Sequence, residues 1–359
     1  MKFIHAADFH LDSPFSALSP EKAKERRRES RELIERLCAL AEEEQADALL
    51  LAGDLVDARH VYPETAETLA SAFRGISAQV FIAPGNHDPY ERGCIYERVS
   101  WPENVHIFKS KVMESVELPE LDTVIHGTAF TTPERWDRPL EGFVVPADGR
   151  CHIILCHGDV TAKECRYGAI TKADIAACGA RYLALGHIHG ASEPQTVGNT
   201  VYAYPGVPEG RGFDETGEKG VLIGTLEDGE LSLSFCPLAR RRYMIVKADV
   251  TEVSALAAAQ MALQGCEKDS VRLIFTGQSR EELSLSQLYE QLAGTVYALE
   301  LRDETEAARD IWERRGEDSL RGIFLREMDL KLRDALPEEK QRINEALRFG
   351  LAALDGRDL

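Results

Sequence analysis

Five short polar clusters in the first 189 residues carry side chains of the types that bind metal ions. They are Asp8 and His10; Gly53, Asp54 and Asp57; Gly85, Asn86, His87 and Asp88; His157 and Gly158; and Gly186, His187 and His189. Five of the ten histidines fall in these clusters, so imidazoles are concentrated where carboxylates and an amide already stand. Each cluster alone is a weak signal: Asn-His-Asp after Pro-Gly also reads as a turn, and His-x-His is common. Taken together, hard carboxylate and amide oxygens mixed with imidazoles suit a divalent ion such as Mn, Fe or Zn. The eight cysteines form no CxxC pair and read as reduced structural thiols, which argues against structural zinc. Two divalent ions about 3.5 to 4 Å apart can hold a hydroxide and clamp the attacking and leaving oxygens of a phosphoester. Such a pair needs a bridging carboxylate, and Asp54, after Gly53 at the end of an apolar run, is the best candidate.

Elements that could position these groups are visible around them. Apolar runs of strand length at Phe3 to Ala7, Ala48 to Ala52, Val80 to Ala83, Ile153 to Cys156 and Leu183 to Leu185 each precede one cluster. Alternation with helical patterns predicts a layered α/β domain, whose ligands bind at the carboxy ends of the strands. Ser19 and Pro20 predict an N-cap and first helical residue, followed by Leu33, Leu37, Leu40 and Ala41 at helical spacing. Short strands at Val201 to Tyr204, Val221 to Leu226 and Leu231 to Phe235 close the domain, and Arg211 to Lys219 reads as a surface loop. After Arg240 a strand, helix, strand, helix, strand pattern begins: Met244 to Val250, Val253 to Gln264, Ser270 to Thr276, Leu283 to Ala293 and Val296 to Leu301. Beyond it, Leu320, Phe324, Met328 and Leu332, then Pro337, then Ile343, Ala346, Leu347, Leu351 and Leu354 predict a helical hairpin.

The order Asp-x-His, Gly-Asp-x-x-Asp, Gly-Asn-His-Asp, His-Gly and Gly-His-x-His, over residues 8 to 189, resembles the calcineurin-like metallophosphoesterases. Within that superfamily, the run from His5 to Phe15, and Gly210-Arg211 followed by Glu215 to Gly220, resemble the bacterial YhaO-type DNA repair exonucleases, relatives of the SbcD nuclease subunit. The resemblance implies an α/β fold: a four-layer sandwich nuclease domain over residues 1–240, a small α/β cap domain over 241–305 and a helical C-terminal segment over 306–359. By matching position, Asp8, His10, Asp54 and His189 would hold one metal, and Asp54, Asn86, His157 and His187 the other. His87 would stabilise developing charge or protonate the leaving oxygen without ligating metal, Asp88 would orient it, and Arg211 would reach a substrate phosphate. Asp57 stands where archaeal and eukaryotic relatives carry a second catalytic histidine, so its role stays open. The implied cofactors are two divalent ions, Mn2+ first, with Mg2+, Fe2+ and Zn2+ as alternatives.

The reaction so implied is in-line attack of a metal-bridging hydroxide on phosphorus in DNA, single- or double-stranded. The implied protein partner is an SMC-like coiled-coil ATPase of the YhaN or SbcC kind, gripped by the C-terminal helices; a homodimer is a further option. Two rivals remain: a phosphodiesterase or phosphatase for small molecules, disfavoured by the long chain beyond residue 240, and a non-catalytic scaffold, disfavoured by the full donor set.

Composition sets the outer bounds. A chain of 359 residues, 44% hydrophobic and 29% charged, predicts two or three folded domains rather than a disordered chain. The net charge of −19, concentrated before residue 240, argues against nucleic-acid binding through a broadly basic surface. No apolar run reaches the ~20 residues of a membrane span and the N-terminus lacks a signal-peptide core, so a cytoplasmic protein is expected. The basic run Lys22, Lys24, Arg26, Arg27, Arg28 and Arg31 reads as a solvated helix face balanced by glutamates. His5, His106, His126 and His152 read as hydrogen-bonded core or edge residues, and Trp101 and Trp136 as packed loop residues.

Overall fold

The computed structural model describes residues 1–354 apart from 17, 58–60, 228, 280–282 and 308. It divides into two compact units, one of residues 1–211 and 217–240, the other of 212–216 and 241–359. In the first unit the elements run β1 (Lys2–Ala6), α1 (Pro20–Glu43), β2 (Ala48–Leu51), α2 (Pro63–Arg74), β3 (Gln79–Ile82), β4 (Val105–Ile107), β5 (Glu114–Leu118) and β6 (Thr123–Gly127). They continue through β7 (Cys151–His157), α3 (Lys172–Cys178), β8 (Tyr182–Gly186), β9 (Gln195–Val197), β10 (Thr200–Ala203), β11 (Gly220–Glu227) and β12 (Glu230–Pro237).

Two six-stranded sheets result, ordered β12-β11-β1-β2-β3-β4 and β5-β6-β7-β8-β10-β9. Residues of β1 alternate between two environments, as the period of two requires. Phe3 joins Leu50, Phe81, Ile153, Leu155 and Tyr182 between the sheets. Ile4 joins Leu49, Val80, Leu33, Leu37 and Phe73 under α1 and α2. On the far side of the second sheet, Ile154, Cys156, Leu183 and Leu185 pack on Ile175 and Cys178 of α3. The layers are therefore helix, sheet, sheet, helix, as expected for the four-layer sandwich. Strands β1, β2 and β3 run parallel, with Ala6 opposite Leu51 and Leu51 opposite Ile82. In the other sheet β7 and β8 run parallel, with His157 opposite Gly186.

Helix α1 starts as its sequence predicts, with the Ser19 side chain accepting from the Lys22 amide and Pro20 in the first turn. Its basic run departs from expectation. Arg26 is 1% exposed and donates to Glu29 (2.8 Å), Glu209 (3.0 Å) and the Gly210 carbonyl (3.0 Å). Arg31 is paired with buried Asp12 at 2.7 Å. Two of the six cations thus serve the interior, because each meets a buried carboxylate. Helices α2 and α3 and strands β4, β5 and β6 were not individually expected.

The second unit holds β13 (Tyr243–Asp249), α4 (Ala255–Ala262), β14 (Ser270–Thr276), β15 (Gln278–Ser279), α5 (Leu285–Leu292), β16 (Ala298–Asp303), β17 (Glu306–Ala307), α6 (Arg309–Glu313), α7 (Leu320–Asp334) and α8 (Pro337–Leu354). Strands β13, β14 and β16 form a parallel sheet, whose Val271, Leu273 and Phe275 pack on Ala259 of α4 and Leu292 of α5. Helices α7 and α8 meet through Leu325, Met328, Leu347 and Leu351. Leu320, expected in that stripe, is 69% exposed instead, and Leu325 takes the inner position. Among the described residues no helix is long and apolar enough to cross a membrane.

Candidate metal centre

The chain leaves each of the five strands β1, β2, β3, β7 and β8 at the same edge of its sheet, and the polar clusters follow at once. The first two loops keep strand-like pairing beyond the sheet: the Asp8 amide donates to the Gly53 carbonyl at 3.0 Å and the His10 amide to the Asp54 carbonyl at 2.9 Å. Asp8, His10, Asp54 and His187 all have positive φ, at 56°, 43°, 53° and 106°. A non-glycine residue is rarely held there, and clusters of such residues mark sites where surroundings over-determine the backbone. Gly53 combines a φ of +87° with close approach, since a Cβ there would lie 2.5 Å from His157 Nδ1. Gly85 is required for a similar reason, because its Cβ would stand 2.3 Å from an Asp54 carboxylate oxygen.

Donor atoms from all five clusters meet around Asp54. Its Oδ1 accepts from the His87 amide (2.8 Å), while its Oδ2 lies 3.8 Å from His10 Nε2 and 3.5 Å from His157 Nε2. His10 Nε2 is in turn 3.3 Å from His189 Nε2. Asn86 Oδ1 lies 2.9 Å from His157 Nε2 and 3.3 Å from His187 Nδ1. Asp8 accepts from the His187 amide at 3.1 Å on both oxygens. Three sets of side chains bring potential ligand atoms within 4.8 Å of one another: Asp8, His10 and His189; His10, Asp54 and His87; and Asp8, Asp54 and His157. Proximity thus groups His87 with the donors, although the resemblance implies that it does not ligate.

The donor set fits a cation. His157 Nδ1 lies 2.9 Å from the Ala52 carbonyl, which can only accept, so Nδ1 carries the proton and Nε2 presents a lone pair. That lone pair faces the Asn86 amide oxygen at 2.9 Å, and a cation between the two would satisfy both acceptors at once. A proton on the imidazole is disfavoured, because burial holds His157 down at about 4. Burial likewise lowers His187 to about 4, and burial followed by the Arg211 guanidinium pushes His10 well below the ordinary range. The carboxylates move the other way. Burial, then the facing Asp54, raises Asp8 well above its usual range, and burial, then Asp88, brings Asp54 up to about 7. Buried carboxylates among neutral imidazoles are the environment that a divalent ion stabilises.

The remaining expected residues fall as follows. His87 is exposed, with its ring edge-on to His10 at 4.7 Å. Arg211 Nη2 lies 3.3 Å from His189 Nδ1. The Asp57 amide donates to the Leu11 carbonyl, and its side chain is outside the three donor sets. Asp88, expected to orient His87, instead directs its carboxylate to the backbone amides of Gly85 (2.7 Å), Asp54 (3.1 Å), Leu55 (2.6 Å) and Val56 (3.4 Å). The Tyr96 hydroxyl also donates to Asp88, at 2.6 Å. A carboxylate surrounded by backbone amides fixes two loops rather than one imidazole. Sequence reasoning missed Tyr96, and also Tyr167, whose ring lies 5.0 Å from that of His187. Neither belongs to a motif, so only the fold could reveal them.

Residues 1–191 match the profile of the calcineurin-like phosphoesterase family. The chain is 31% identical over 338 residues to an uncharacterized metallophosphoesterase, YhaO, of Bacillus subtilis, covering 85% of this chain and 82% of the relative. It is 26% identical over 275 residues to the SbcD component of the nuclease SbcCD of the same organism, covering 64% of this chain and 67% of that one. The corresponding SbcD component from Rhodobacter capsulatus matches at 31% over 112 residues, 30% of this chain and 26% of the relative. With a family match over more than half its length and a relative 31% identical over 85% of it, this chain belongs to the calcineurin-like phosphoesterases, metal-dependent hydrolases of phosphoesters.

Proposed function

We propose that the chain is a Mn-dependent nuclease of DNA repair that hydrolyses DNA phosphodiesters at a two-metal centre. The observation that carries this reading is the position of Asp54 Oδ2, within 3.8 Å of His10 Nε2 and within 3.5 Å of His157 Nε2. In this reading Asp8, His10, Asp54 and His189 hold one ion, and Asp54, Asn86, His157 and His187 hold the other. When bound, the ions offset the charge of the phosphodiester and acidify water. The Ala52 carbonyl fixes the His157 tautomer, as the partners of metal-binding histidines generally do. His87, solvent-exposed and edge-on to His10, supplies the proton to the departing oxygen. Arg211 receives a substrate phosphate, and Asp88 is a positioning residue that locks the backbone around Asp54. Hydrolysis is direct, with no covalent step assigned to the protein. The similarity to two chains named as components of the nuclease SbcCD supports DNA as the substrate class.

For the second unit we propose a cap over 241–305 and a docking segment over 306–359 for an SMC-like coiled-coil ATPase. Leu320, Ile323, Leu330 and Leu336 stand exposed there. A second copy of this chain is the competing occupant, and the cytoplasm is the assigned compartment.

The test uses chelator-stripped protein to which Mn is restored, offered end-labelled single- and double-stranded DNA beside a small chromogenic phosphodiester. DNA cleavage that requires Mn, and that falls by roughly 100-fold or more in His87→Ala, is the expected result. Cleavage of the small ester alone would replace this reading with the small-substrate one. Activity on neither would leave a scaffold.

A further inference from the structure

We propose that Trp136, Arg166 and Tyr167 form a stacking platform for an unpaired nucleobase beside the metal centre, so that the substrate is held by a base as well as by phosphate. The proposal rests on the nuclease reading above. Trp136 was expected to pack in its loop, as Trp101 does against Phe73 and Tyr96, yet it is 71% exposed. Its indole N–H donates to one oxygen of Glu134 (3.2 Å), and the other Glu134 oxygen pairs with Arg166 Nη1 (3.3 Å). The Arg166 guanidinium lies 5.0 Å from the centre of the Tyr167 ring, and that ring lies 5.0 Å from His187. The exposed indole and guanidinium and the half-buried phenol are thus linked stepwise to a residue of the metal centre.

The segments carrying these side chains are fixed. The Arg135 amide donates to the Arg166 carbonyl and the Gly168 amide to the Arg135 carbonyl, both at 2.8 Å. Arg135 itself is buried and donates to Thr128 Oγ1 (2.8 Å) and to the Lys111 carbonyl (2.7 Å). An exposed ring on an anchored backbone loses little freedom when something stacks on it. Rings and guanidinium planes accept any base, because every base has a π-face. This source of affinity suits a chain of net charge −19, which cannot draw a polyanion in through its overall field. Within a duplex, neighbouring pairs cover both faces of each base, so the platform serves a single strand or a frayed end.

The test compares the Mn-loaded full chain with Trp136→Ala, Trp136→Phe, Arg166→Ala and Tyr167→Leu. The substrates are an oligothymidylate and a fully abasic strand of equal length. The expected result is that the preference for the base-bearing strand, read as a ratio of kcat/KM, falls roughly tenfold in Trp136→Ala and Arg166→Ala and is largely kept in Trp136→Phe. The loss should lie mainly in KM. Quenching of 2-aminopurine placed in the oligonucleotide, measured on chelated protein, should fall in the same variants. An unchanged ratio and unchanged quenching, with DNA still cleaved by the unaltered chain, would overturn the platform and leave the nuclease reading intact. An unaltered chain that cleaves bis(4-nitrophenyl) phosphate but no DNA would overturn both. Tyr167 touches His187, so Trp136 and Arg166 decide the outcome.

Discussion

Asp88 shows how a residue can matter to a metal centre without reaching it. Four backbone amides and the Tyr96 hydroxyl converge on its carboxylate, and three of those amides belong to Asp54, Leu55 and Val56. The carboxylate therefore stabilises the left-handed backbone at Asp54, a conformation with an intrinsic cost, and so sets where Asp54 Oδ2 lies. Tyr96 is buried and donates the short hydroxyl bond of that set. Tyr96→Phe removes this donor and leaves the ring packing intact. The expected outcome is a loss of about 1 to 3 kcal/mol of stability, together with a roughly 10- to 100-fold weaker metal affinity. Urea denaturation and titration of the chelated protein with Mn check the two effects separately. Unchanged metal affinity alongside lowered stability would reduce Tyr96 to a packing residue.

The strands bearing the clusters were legible because each is a short apolar run ended by polar residues, and the parallel pairing of β1 with β2, β2 with β3 and β7 with β8 makes those ends coincide within each sheet. Asp8, His10, Asp54, Asn86, His87, His157, His187 and His189 could be gathered from the sequence for that reason. Strands β4 and β5 were not, since Val105–Ile107 is only three residues long and Glu114–Leu118 is half polar at an edge. The capping box that starts α3, with Thr171 and Asp174 bonded reciprocally, is a signal that the sequence does carry. Helix α1 shows the deeper limit. Nothing local separates Arg26 from Arg27, because the partner that draws Arg26 inward, Glu209, lies 183 residues away. Arg26→Met would leave Glu29 and Glu209 buried without their shared cation, and the expected loss is about 3 to 5 kcal/mol. The triple change with Glu29→Gln and Glu209→Gln should recover much of that loss, as judged by denaturation midpoints. If the single variant is as stable as the parent, the network does not hold α1 to the segment leading into Arg211.

A chain that carries −19 and is assigned a polyanionic substrate must draw its affinity from local groups. The dense basic run of α1 offers little help. Arg26 is consumed by Glu29 and Glu209, Arg31 by Asp12, and Arg28 is paired with Glu32 at 3.3 Å. Proteins that neutralise many phosphates with free cations release condensed counterions, and their affinity collapses as salt rises. Here added salt should act on two opposed quantities: it weakens the few local phosphate contacts and screens the repulsion from the acidic surface. The expected outcome is that kcat/KM for Mn-dependent cleavage of a single-stranded oligonucleotide changes by less than about fivefold between roughly 50 and 200 mM KCl, where a protein neutralising six to ten phosphates loses about 1,000-fold or more. The comparison needs a constant excess of Mn, so that occupancy of the metal centre does not vary with the salt. A hundredfold fall would reveal a basic DNA track not built from the α1 cations. A flat or rising profile would instead place recognition in the metal centre and the rings beside it.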